Sequence, residues 1–190
     1  MADFIKAFKI TILDNEGGYN PGIGEKETYR GIDRGANPQW GGWPIIDAIK
    51  KSNPGLNTAK INLMLSQNLS LQTNIERFYK INYWDTVTLN NVHNQQLANN
   101  LFDCSVNQGE AMARKFMQTA CNYVIVATRS SILPLVVDRK IGEATLTAFN
   151  SLPPAVLNAE INAEREASYR NDSGYATWGK VWQKRLINYT

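Results

Sequence analysis

From Pro44 to the end of the chain, apolar side chains recur at three- and four-residue steps, and no apolar–polar alternation persists long enough for a strand. Pro44 opens a helix with Ile45, Ile46 and Ile49 facing inward. Helices follow over 58–67 and over 70–83, the latter with Ile75, Phe78, Tyr79 and Tyr83 in register. A further helix from 95 carries Leu97, Leu101, Phe102 and Cys104; beyond Gly109, Met112, Phe116, Ala120, Tyr123 and Ala127 form a long core stripe. A tight loop at Asp138 enters another helix, a charged helix follows Pro153-Pro154, and the last holds Trp178, Trp182 and Leu186. Phe4, Ile5, Phe8, Ile12 and Leu13 predict a first helix over 3–15. The expectation is an all-α fold of about eight helices, a single compact body without solenoid repeats.

Chemistry is narrowed by what the chain lacks. His93 is the single histidine and lies in the polar run Asn-Asn-Val-His-Asn-Gln, which leaves Ser-His-Asp and Cys-His catalysis without a base. Cys104 and Cys121 are seventeen positions apart among apolar neighbours and read as two reduced core thiols; with one histidine they make a zinc site improbable. No Walker loop or dinucleotide fingerprint occurs, and no cofactor or metal is expected. The net charge of +3 comes from scattered lysines and arginines, against a nucleic-acid partner. No segment approaches the roughly 18 apolar residues of a membrane helix, so no membrane insertion is expected. The N-terminus puts an acid before its first apolar residues and reads as carrying no signal peptide. Carboxylate chemistry, or no chemistry, remains.

Its place is Glu16. The first helix runs into Asn15-Glu16-Gly17-Gly18-Tyr19, and Gly17 fits the left-handed position that commonly closes a helix. A carboxylate at that end meets the negative pole of the helix dipole, which disfavours ionisation and suits a general acid. The loop over 20–33 is long and polar, able to line a cleft, and offers Glu25, Glu27 and Asp33 as a partner carboxylate. Trp40 and Trp43 are either core or a stacking platform for sugar rings. Asp103 and Asn107, one helical turn apart, either bridge neighbouring backbone or face the cleft and hold Glu16 or substrate.

Together these residues resemble the family 108 glycoside hydrolases, N-acetylmuramidases frequent as phage endolysins. Glu16-Gly17-Gly18-Tyr19 is similar to that family's Glu-Gly-Gly-Tyr, Glu27-Thr28-Tyr29-Arg30-Gly31-Ile32 to its Glu-Thr-Tyr-x-Gly-Ile, and Tyr83-Trp84-Asp85 to a recurring Tyr-Trp-Asp. The stretch from Asn37 to Asp47 resembles one branch of the family. The second half looks like the helical module usually paired with it: Phe102-Asp103-x-x-Val106-Asn107-x-Gly109, Asp138-x-x-Ile141-Gly142-x-x-Thr145, Glu164-Arg165 and Trp182-x-x-Arg185 fit in order. Two departures stand out: Glu25-Lys26 replaces a usual Gly-Gly, and Arg139 a usual glycine.

The resemblance implies a lysozyme-like helical fold of two lobes, a muramidase region over 1–92 and a peptidoglycan-binding region over 93–190. It implies cleavage between N-acetylmuramic acid and N-acetylglucosamine with Glu16 as general acid, Tyr19, Thr28 and Tyr29 shaping the cleft, and Asp103 and Asn107 available to substrate. The partner would be peptidoglycan glycan strands, met by a monomer released through a holin or a secretion machine. The alternative is a noncatalytic wall-binding or secretion-helper protein on the same fold.

Overall fold

The structure, a computed structural model, describes residues 1–22 and 26–189. It is all-α apart from one small sheet, with nine α-helices among the described residues. They are α1 (Phe4–Phe8), α2 (Trp43–Ser52), α3 (Thr58–Gln67), α4 (Leu69–Tyr79), α5 (Gln95–Gln108), α6 (Glu110–Ala127), α7 (Glu143–Ser151), α8 (Pro154–Arg170) and α9 (Tyr175–Ile187). Asparagine starts three of them: the side chains of Asn57, Asn68 and Asn94 accept from the backbone N–H of Lys60, Leu71 and Leu97. Two helices widen at their C-terminal ends. A π-helical turn, Lys9–Leu13, continues α1, and a second, Lys80–Trp84, continues α4.

The chain divides into two compact units, residues 8–82 and residues 1–7 with 83–190. In the first, α3 packs against α2, α4 and a three-stranded antiparallel sheet. Its strands are β1 (Tyr19–Asn20), β2 (Thr28–Tyr29) and β3 (Ile32–Asp33). The expectation of an irregular loop there is thus corrected. Pairing sets Tyr19 opposite Tyr29 and Tyr29 opposite Ile32, a buried row, and Asn20, Thr28 and Asp33 in line on the other face. Ile46, Leu65, Leu71, Ile75 and Tyr79 complete the core.

In the larger unit α5 packs on α6 and α8, α6 on α7 and α8, and α8 on α9. Residues 1–7 belong to it because Phe4 meets Trp84 and Phe102 edge to face at 5.6 and 5.8 Å. The Ala2 N–H also donates to Val92 O, and Asp3 N–H to Gln95 Oε1, each at 2.7 Å. The stripe on α6 runs through Ala113, Phe116, Met117, Ala120, Cys121 and Val124. Tyr123 and Ala127, expected in it, are exposed. Their side chains point outward because 3.6 residues per turn carries the buried line to Val124.

Candidate active site

Glu16 follows the first π turn. Asp14 N–H donates to Lys9 O at 3.1 Å, five residues back, and Glu16 N–H to Ile12 O at 3.0 Å. Gly17 is not among the glycines with positive φ, so the left-handed closure expected there is absent and the widened turn ends the helix instead. The exposed carbonyls find other donors: the Asn15 amide bonds Ile10 O, and the Arg30 guanidinium reaches Leu13 O and Glu16 O at 3.3 and 3.4 Å. A cation therefore stands at the negative end of the helix beside Glu16, an element the bare dipole argument leaves out.

The half-buried Glu16 side chain meets the tip of a hairpin. Arg30 and Gly31 join β2 to β3 with φ of 50° and 78°, the left-handed pair of a two-residue type I′ turn. A methyl group on Gly31 would stand 2.8 Å from Glu16 Oε2 and 2.9 Å from the Tyr79 hydroxyl, so only glycine lets these three groups meet. Tyr79 donates to Arg30 O at 2.6 Å and fixes the turn from below. On the other side of Glu16, Gly18 allows the Asn62 amide to lie against the backbone, where its Oδ1 accepts from Tyr19 N–H at 2.9 Å.

The loop acids have distinct surroundings. Glu27 is buried and clamped: it accepts from the Tyr19 hydroxyl at 2.5 Å and pairs with Lys50 at 2.7 Å and Arg34 at 2.6 Å. Burial, with Glu27 as acceptor, raises the Tyr19 phenol above its ordinary range. Burial opposes the charge of Lys50, but Glu27 and Tyr19 hold its pKa above the usual lysine value. Its hydrogen bond to Asp47 does the same for Arg34. Asp33 lies on the open face of the sheet in line with Thr28, accepts from Ala36 N–H at 2.8 Å, and has no ion pair among the described residues. Glu25 lies outside the described residues.

Of the residues expected to meet substrate, Glu16 and Thr28 both belong to the 8–82 unit, with Thr28 partly exposed. Tyr19 and Tyr29 are corrected: they form the buried underside of the sheet, Tyr29 at 0% exposure. Asp103 is also corrected. At 0% exposure it pairs with Arg165 and, at 2.8 Å, with Arg185. The Tyr169 hydroxyl, which itself accepts from Arg165, donates to Asn107 at 2.7 Å; Asn107 borders a recess of about 200 Å³ with Trp182. The three motifs around Asp103, Arg165 and Arg185 are thus one buried network, and these residues serve the larger unit's core. Arg30 was missed, since a lone arginine in a loop carries no signal for a turn that glycine or asparagine usually marks.

The arrangement is a half-buried glutamate facing a glycine turn, with an aspartate two residues further on that has no ion pair among the described residues. The chain belongs to the glycosyl hydrolase 108 family, whose model matches residues 10–109, more than half of its 190 residues. It is a glycoside hydrolase of the peptidoglycan-degrading kind. Among solved structures it is similar in fold to one titled "Structure of Brucella abortus SagA", at 20% identity and a TM-score of 0.63, covering 98% of this chain and 90% of that one. No curated protein matches. No helix among the described residues is long and apolar enough to cross a membrane.

Proposed function

We propose that the enzyme is an N-acetylmuramidase in which Glu16 protonates the glycosidic oxygen between N-acetylmuramic acid and N-acetylglucosamine. The observation that carries this is the contact at Gly31: a turn residue with no side chain lets the half-buried Glu16 carboxylate lie against the tip of the hairpin. Bond cleavage then passes through an oxocarbenium-like state. Asp33 is the second carboxylate in this reading. It lies two residues from Gly31, roughly 7 Å of extended backbone at most, and holds no cation that would neutralise it. It either attacks the sugar or activates water, and Thr28 hydrogen-bonds the bound ring beside it.

The test is Glu16→Gln, which keeps the shape and removes the proton. Clearing of purified sacculi should fall by about 10²- to 10⁴-fold while the variant still sediments with them. Full clearing by Glu16→Gln would remove Glu16 from the chemistry. Asp33→Asn should lower clearing comparably, and reducing-end analysis of the wild-type digest should show muramic acid termini.

A further inference from the structure

The two tryptophans before α2 have different surroundings. Trp43 is core: 3% exposed, its indole N–H on Asn37 O at 2.7 Å and the Arg34 guanidinium 4.5 Å from its ring. Trp40 remains half-buried, edge-on to Trp43 at 4.9 Å and to Phe78 at 6.2 Å, with its indole N–H reaching Asn74 O at 3.4 Å. A methyl group on Gly42 would stand 2.3 Å from that ring, so the paired glycines let the chain fold Trp40 back toward α4. The ring is braced from three directions and borders a groove of about 350 Å³.

The rest of the groove is chemically consistent. Gln39, Asn74 and Asn82 line it with amides, Phe78 extends the aromatic wall, and Arg77 lies on the same rim. The Arg77 side chain is exposed and has no ion pair among the described residues. A pre-positioned aromatic ring suits the C–H surface of a sugar, amides suit hydroxyl and N-acetyl groups, and a guanidinium suits a carboxylate. The volume falls at the small end for ligand clefts, the size of one or two sugar rings.

We propose that this groove is a second glycan-binding site on the 8–82 unit, taking an N-acetylhexosamine on Trp40 with an adjoining carboxylate on Arg77. It rests on peptidoglycan being the substrate and not on the role of Glu16. The carboxylate belongs either to a free muramyl lactyl group or to a stem peptide.

The experiment titrates full-length Glu16→Gln protein with three probes: chitotriose, the free GlcNAc-MurNAc disaccharide, and the disaccharide-peptide. The Trp40 indole N–H resonance reports on the groove. It should shift with all three and saturate about tenfold earlier with whichever probe supplies the right carboxylate; Arg77→Gln should erase that preference. Trp40→Phe, with its fold checked by circular dichroism, should weaken all three. An indole resonance that no probe moves, or an unchanged preference in Arg77→Gln, overturns the proposal. Hydrolysis of the probes by the Glu16→Gln protein would instead show the Glu16 reading to be wrong.

Discussion

Gly31 meets two demands at once, a left-handed backbone and a surface bare enough for Glu16 and Tyr79 to approach. Gly31→Ala should therefore cost about 1–2 kcal/mol in thermal melts and lower sacculus clearing far more, since a shift of about 1 Å in a reacting group is worth on the order of 10²-fold. Wild-type clearing by a folded Gly31→Ala would separate the turn from catalysis. Arg30→Met removes the guanidinium that holds the Glu16 and Leu13 carbonyls. It should lower kcat by roughly tenfold with little change in KM, as expected of a positioning group. Arg139 sits at φ 63°, in the left-handed region that favours glycine. Arg139→Gly should raise unfolding free energy by about 0.5–1 kcal/mol in urea titrations, the relief of a strained backbone less the entropy that glycine costs.

Helices were the most readable elements, because burial on one face writes a period into residues such as Leu71, Ile75 and Tyr79. Strands of two residues contain no period, so β1, β2 and β3 left no trace, and the turn between β2 and β3 used Arg30 where Asn-Gly would have announced it. Spacing placed Glu16 at a helix end but does not register the wider π turn that precedes it. Asp103 and Asn107 were legible as a polar pair on a buried helix. Their partners, 62 and 82 positions from Asp103, were not. Removing one member of that network leaves buried charge uncompensated, so Asp103→Ala should cost about 3–5 kcal/mol of stability and act on activity only through folding. Two thiols on the packed helices α5 and α6 add a pH dependence. Burial pushes Cys104 and Cys121 up to about 12, so both stay protonated in the native state while the unfolded chain ionises near 9. Stability from these groups is intact below about pH 9 and declines as pH rises towards 12, by at most about 1.4 kcal/mol per pH unit for each thiol. Replacing both with alanine should flatten that decline in alkaline denaturation curves.

Taken whole, the molecule holds Glu16 and the hairpin in one unit and, among the described residues, its most extensive buried polar network in the other. The border was harder to read: the compact unit closes at residue 82, whereas the family match continues to 109. The early return of residues 1–7 to the larger unit gave no local signal, since Phe4 reads as the start of a helix wherever that helix is docked. The chain therefore passes between the units twice, at 7/8 and at 82/83. Residues 1–7 plug the core of the 83–190 portion of their own unit, and trimming them should lower its melting temperature by baring Trp84 and Phe102.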